Sequence, residues 1–346
     1  MAKNNPLLSI CIPTFNRAAY LSETIQSILS QTYTHFELII INDGCTDNTE
    51  DVVKGYKDKR IQYLKNKKNL GYIKTMNKGT MLAKAEWVMH VSDDDKMRPT
   101  MLEEMVDALC EYNNQEIGFV VPQSANIDHK GELINEPPKQ LVNKKSILLK
   151  PKEFICNFTL YGRKIRDTYV FNTSFPSTLF NKKILIELGM SSEDVPVSHD
   201  VLIESEICLL YPVLVVDKPL FEYRVHENWG SSLNRKGTYV TEYEHFLEKL
   251  FSFIDKNNIK FDYNFRKYAY QALTNYIFAL NGGLLRLSGK YQGSYQQRLK
   301  KIEGYISFGV SHDKLLLVSL RFYIVVMASL LPQSIIISLG RFSRKT

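Results

Sequence analysis

Over the first 122 residues, apolar runs of strand length alternate with stretches of helical period, and that alternation leaves few architectures open. Residues 7–12 form a short apolar run closed by Pro13, and residues 36–41 form a continuous one. Residues 61–64, 87–91 and 117–121 supply three more. Between them, residues 20–30 place Leu21, Ile25, Ile28 and Leu29 on one helical face. Residues 72–85 read as a helix, and residues 100–112 as an amphipathic helix opened by Pro99. Asp47 offers an N-cap with Glu50 three residues later, the pattern of a capping box before a further helix. Strands and helices at this spacing predict an α/β fold with a mostly parallel sheet flanked by helices.

Beyond residue 122 the rhythm breaks. Residues 123–150 are polar, contain Pro137-Pro138 and show no period, which predicts a loop or boundary. Residues 198–210 read as a capped helix, 213–216 as a strand, and the chain from 241 onward as almost entirely helical. The expected organisation is a first half over 1–122, a second half of the same domain over 123–238, and a helical C-terminal region over 239–346.

In parallel sheets ligands bind beyond the carboxyl ends of the strands, and the polar clusters of this chain fall at those ends. The first strand leads into Thr14-Phe15-Asn16-Arg17, the second into Asn42-Asp43-Gly44-Cys45-Thr46-Asp47, the third into Asn69-Leu70-Gly71 and the fourth into Ser92-Asp93-Asp94-Asp95. Three adjacent carboxylates repel one another, and a divalent cation relieves that repulsion. Mg²⁺ uses one or two protein carboxylates and completes its shell with water and substrate phosphates, so the acidic triplet suggests a metal bridging protein to a diphosphate. A solvated turn before the next helix is the plainer alternative. Asp43, after three isoleucines, can accept hydrogen bonds from a base or ribose, or can form an Asx turn with Gly44.

Composition narrows the partners. The chain has 346 residues, 44% hydrophobic and 23% charged, with a formal net charge of +7. That excess is too mild to imply nucleic acid and suits anionic phosphates or an anionic membrane surface equally. The five cysteines include no C-x-x-C pair, so neither a zinc site nor a disulfide framework is indicated. The loop after the first strand has no glycine, against the Gly-rich phosphate loop of a nucleotidyltransferase or dehydrogenase. The N-terminus lacks the apolar core of a secretory signal.

Taken together, Ile12-Pro13-Thr14-Phe15-Asn16-Arg17, Ile41 through Thr49, Asn69-Leu70-Gly71, Asn77-Lys78-Gly79 and Ser92-Asp93-Asp94-Asp95 with Pro99 resemble family 2 glycosyltransferases of the GT-A fold. Weaker matches continue through residues 177–189, His199-Asp200 and Tyr223-Arg224-Val225-His226. The resemblance implies an inverting, metal-dependent transferase that moves a sugar from a nucleotide diphosphate donor, a UDP-sugar, to a hydroxyl of a saccharide acceptor. It implies Pro13, Thr14, Asn16, Arg17, Asp43, Asn69, Gly71, Asn77, Asp93 and His226 at the donor, and Asp200 as catalytic base. Where many members carry an acid this chain has Ser92, which shifts the expected ligands for Mn²⁺ or Mg²⁺ onto Asp94 and Asp95. Asp200 follows His199 where the family has a Glu-Asp pair. Surface polysaccharide synthesis on an undecaprenyl-diphosphate-linked acceptor, at the inner face of a bacterial cytoplasmic membrane, is the setting the resemblance implies. A non-catalytic nucleotide-sugar-binding protein on the same fold is the alternative, and Asp200 argues against it.

The C-terminal segment bears on that setting. Residues 315–331 are apolar except for Ser319, Arg321 and Ser329, and Pro332, Arg341, Arg344 and Lys345 follow. The pattern suits an interfacial helix pair with basic anchors better than a membrane span; an ordinary core helix is the other reading.

Overall fold

Buried β-branched runs build the centre of the molecule. In the computed structural model, which describes residues 6–137, 146–153, 175–196, 198–226 and 239–261, β1 (Leu8–Thr14) lies between β2 (Phe36–Asn42) and β4 (Trp87–His90), and β3 (Ile61–Lys65) pairs with the far side of β2. All three pairings are parallel. Leu8, Ile10 and Ile12 of β1 and Leu38 and Ile40 of β2 pack with Leu21, Ile25 and Ile28 of α1 (Ala18–Leu29) and Met101, Met105 and Val106 of α4 (Met101–Glu111). Each such side chain contributes about 1.5–3 kcal/mol by leaving water. The opposite face receives α3 (Tyr72–Leu82), where Gly79 comes so close to β1 that a Cβ would lie 3.1 Å from that of Cys11. Both faces of the parallel strands are thus covered, as the continuous apolar runs predict.

The sheet continues through the second half in a mixed pattern. The strand order is β3-β2-β1-β4-β9-β6-β10-β5, with β5 at Lys96–Met97, β6 at Phe119–Ile127, β9 at Leu179–Asn181 and β10 at Val213–Arg224. The short β9 runs antiparallel to both β4 and β6, so it separates two blocks of parallel strands. Two short strands complete the sheet: β7 (Leu133–Asn135) pairs with β6, and β8 (Ser146–Leu149) with β10. Residues 123–150, expected as a loop, therefore contain strand. The polar letters of β6 concealed it: Gln123 is fully buried, and its Nε2 donates to Asp217 Oδ1 on the neighbouring strand at 2.6 Å. β10 likewise outruns the expected 213–216, because the strand accommodates Pro219 with a shift in register on either side of it.

The remaining helices differ in detail from expectation. α2 (Thr49–Lys54) starts without a capping box. Asp47 Oδ1 instead accepts from the Thr49 backbone and hydroxyl, and Oδ2 accepts from the Ala18 N–H at the start of α1. Glu50 is occupied by Lys54 and Lys65. After α5 (Lys182–Glu187), α6 (His199–Leu210) follows an N-cap Ser198 that makes no side-chain cap bond, and α7 (Tyr239–Lys256) packs near it. Described residues up to Ile259 belong to one compact unit. Cys11, Cys45, Cys110 and Cys208 are not bridged by disulfides. Among the described residues no helix is long and apolar enough to cross a membrane, and the basic, apolar segment from residue 315 lies outside them.

Two stability predictions follow from this packing. A Cβ on Gly118 would stand 2.4 Å from Ile207 Cγ2 and 3.1 Å from Tyr211 Cβ, and a β-branched helical side chain has little rotamer freedom to retreat. Gly118→Ala should therefore cost about 1–3 kcal/mol, read as a lowered urea midpoint with an unchanged slope. Glu204 is buried on α6 against Thr178 Oγ1 at 2.7 Å, and its carboxyl is pushed up from 4.5 to about 8, chiefly by burial. Its folded pKa lies above its unfolded one, so its contribution is present at acid pH and lost as pH rises from 4.5 to 8. Glu204→Gln keeps an acceptor for Thr178 and cannot ionise. Its stability relative to wild type should improve steadily across that window in denaturation at stepped pH.

Candidate active site

The parallel strands deliver their polar loops to one edge. Asp43 N donates to Thr14 O at 2.9 Å, Asn66 N to Asn42 O at 2.8 Å and Val91 N to Cys11 O at 2.9 Å, so the ladder carries on past the strand ends and fixes the loops against one another. Gly44, at φ +78°, lets the second loop touch the third: a Cβ there would lie 2.8 Å from Asn69 N. Beyond these loops opens a cleft of about 610 Å³. Pro13, Thr14, Arg17, Asp43, Asn69, Gly71, Asp93 and Asp94 line it from the first half, and Asp200 faces them from the second.

Asp43 is held in place by what it holds. Its Oδ1 accepts from Asn66 Nδ2 (2.8 Å) and Leu70 N (2.9 Å), and its Oδ2 accepts from Gly71 N (3.0 Å). A carboxylate offers about four acceptor positions, so roughly one remains for a ligand. Asn69 Oδ1 also accepts from Gly71 N, at 2.8 Å.

The acidic loop divides its three carboxylates between two tasks. Asp93 and Asp94 line the cleft, whereas Asp95 is 1% exposed and its Oδ1 accepts from Arg224 N at 2.8 Å. Asp94 Oδ2 takes a hydrogen bond from Arg17 Nη1 and lies 3.0 Å from His226 Nε2. Arg17 Nη1 is also 3.7 Å from Asp93 Oδ1. Burial pushes the Asp93 carboxyl up to about 7, with Arg17 opposing and the charge of Asp94 adding. The Asp95 carboxyl is raised too, first by burial and then by Asp94. The acidic pair that lines the cleft is thus Asp93 and Asp94, with Asp95 held behind them.

Several expected donor residues act from behind the wall. Asn16, at φ 54°, donates its N–H to Cys45 Sγ and accepts from Thr46 N at 2.8 Å, locking the first loop to the second. Asn77 donates to Ser191 O at 2.9 Å and accepts from Ser191 N at 3.3 Å, joining α3 to the segment before α6. His226 stacks on Tyr20 with centroids 5.3 Å apart, beside Asp94. Arg224 is buried: Nε donates to Asp94 O (2.6 Å) and Nη2 to Glu23 Oε2 (2.8 Å).

The cleft also takes residues to which the sequence assigned no role. Tyr72, Phe175, Pro176 and Pro196 line it together with His199 and Asp200. His199 Nδ1 lies 3.2 Å from Ser191 Oγ, its ring meets Phe175 edge-on at 5.5 Å, and burial lowers its pKa. Asp200 stands in the first turn of α6, where Oδ1 accepts from Val201 N at 2.7 Å. Tyr72 follows Gly71 at the head of α3, and that position was the available signal for it.

Comparison with known proteins places this arrangement. Residues 9–185 match the family described as Glycosyl transferase family 2. An uncharacterized glycosyltransferase of Rickettsia typhi is 30% identical over 249 residues, covering 71% of this chain and 73% of that protein. A glycosyl transferase of Escherichia coli K12 named for colanic acid biosynthesis is 30% identical over 186 residues, covering 53% of this chain and 63% of that protein. The crystal structure of S. aureus TarS 1-349 in complex with UDP-GlcNAc is similar in fold, with a TM-score of 0.63 at 16% identity over 98% of this chain and 91% of that one. The fold is of the GT-A type, and the chain belongs to glycosyl transferase family 2.

Proposed function

We propose that this glycosyltransferase moves a sugar from a UDP-sugar to a hydroxyl of a saccharide acceptor, with inversion, in the synthesis of a surface polysaccharide on a lipid carrier. The observation that carries the reading is the placement of Asp200 across one cleft from Asp93 and Asp94. An in-line displacement needs a base on one side of the anomeric carbon and charge stabilisation for the leaving diphosphate on the other. The open acceptor position of Asp43 suits a base or ribose donor. The E. coli relative's name supports the polysaccharide setting, and the UDP-GlcNAc complex of TarS supports the choice of donor.

The donor set fits a hard divalent cation held jointly with phosphate. Among the described residues no group of three or more His, Cys, Asp or Glu is arranged as a closed metal site, but Asp93 and Asp94 supply two neighbouring carboxylates that line one cleft. Mn²⁺ or Mg²⁺ held by them would supply Lewis-acid stabilisation to a departing diphosphate. Arg17 and His226 orient Asp94. Asp200 takes the proton of the attacking hydroxyl, and the wall of Phe175, Pro176 and Pro196 keeps water from competing with it.

Asp200→Asn should leave donor binding intact and lower kcat by roughly 10²–10⁴; wild-type turnover in that variant would remove Asp200 from the mechanism. Asp43→Ala removes hydrogen bonds to a charged group worth about 1.5–3 kcal/mol each, so the donor KM should rise about tenfold or more with a smaller change in kcat. Turnover should vanish in excess chelator and return with Mn²⁺ or Mg²⁺. Activity that persists in chelator would sink the metal role alone.

A further inference from the structure

The cleft between the diphosphate side and Asp200 has a distinct chemical character. Tyr72 lines the cleft and is 42% exposed. It shares that lining with Asp93 and Asp200, and burial first, then the charges of Asp200, Asp93 and Asp95, push its hydroxyl up. The Tyr72 and His199 rings are 5.8 Å apart and inclined at 50°, and Phe175 closes the row behind His199. A sugar bonded to the leaving diphosphate and attacked from the side of Asp200 must occupy this gap.

We propose that Tyr72, with the wall of His199 and Phe175, forms the subsite for the transferred sugar, and that this subsite takes an uncharged pyranose and rejects a uronic acid. The inference rests on the donor reading above. An exposed aromatic face offers an apolar platform for the C–H face of a pyranose ring, while the ring hydroxyls reach polar groups at its edge. The charges around it decide the second half. Asp93 and Asp200 flank the gap, and the cationic residues of the cleft wall, among the described residues, are Arg17 and Arg224. Arg17 is engaged by Asp94. Arg224 is 1% exposed and has committed donors to Asp94 O, Asp128 O, His129 O and Glu23. His199 is neutral, its pKa lowered by burial. A sugar carboxylate here would lose water and meet carboxylates with no uncommitted protein cation among the described residues to receive it, which a desolvated site does not tolerate.

Calorimetric titration of the full-length protein with UDP, UDP-glucose and UDP-glucuronic acid, at one fixed Mn²⁺ concentration, tests this. UDP-glucose should bind at least about tenfold more tightly than UDP-glucuronic acid, a gap of roughly 1.4 kcal/mol, and this comparison needs no variant. Tyr72→Ala should weaken UDP-glucose about tenfold while UDP alone changes less than about twofold, and Tyr72→Phe should restore the affinity. Equal binding of the two nucleotide sugars would overturn the proposal. So would a Tyr72→Ala protein that loses UDP and UDP-glucose alike. A protein that binds none of the three ligands would overturn the donor reading instead.

Discussion

A buried guanidinium holds the site together. Arg224 ends β10, yet its side chain is among the largest fully buried in the molecule. Its N–H anchors Asp95, Nε holds the Asp94 carbonyl, Nη1 reaches the carbonyls of Asp128 and His129, and Nη2 pairs with Glu23 of α1. The guanidinium also lies 5.0 Å from the Tyr20 ring centre, on the same ring that stacks with His226. A cation buried this way is stable only with its hydrogen bonds met, and three neighbouring carboxylates are tolerable only with positive charge close by. Each half of the arrangement removes the cost of the other, so the last residue of one strand, the first helix and the loop after β4 are fixed as a unit.

That unit gives the acidic loop its division of labour. Tethering Asp95 from behind leaves Asp93 and Asp94 to face the cleft, and Arg17 and His226 set the direction of Asp94. A loop free to choose would spread three like charges apart. The rest of the donor side is preorganised in the same manner: Asp43 is clamped by the backbone it clamps, and Asn16 and Gly44 seal the joints between loops.

The Asp200 side of the cleft depends on buried groups with shifted pKa values rather than on charge pairs. His90 is pushed down to about 3 by burial, and stacks at 6.3 Å on Phe175, which in turn abuts His199. Glu204, one turn after Asp200, accepts from Thr178, and burial pushes its carboxyl up to about 8. Asn77 pins Ser191, and Ser191 steadies His199, so α3 of the first half sets the position of α6 in the second. Asp200 therefore stands on a rigid, low-dielectric support beside a cleft that is itself strongly acidic.

The first half of the fold was legible in the letters, because a strand buried on both faces must be continuously apolar and a covering helix must repeat at 3.6 residues. The loops at the carboxyl ends of β1, β2, β3 and β4, and with them one wall of the cleft, followed from that order alone. The letters misled where polar groups satisfy one another out of water. Gln123 and Asp217 made the middle of two core strands look like loop, and Asp47 resembled a cap when its second oxygen was committed to α1. Sequence alone thus determined the parallel α/β scaffold, the family and which loops line the cleft. Only tertiary structure decided that Asp93 rather than Asp95 accompanies Asp94 at the cleft, that Arg224 serves as an internal brace, and that Tyr72 meets His199. Those outcomes depend on partners up to 201 residues apart, as Arg224 and Glu23 are, and a carboxylate or guanidinium carries no mark of the distant group that will satisfy it.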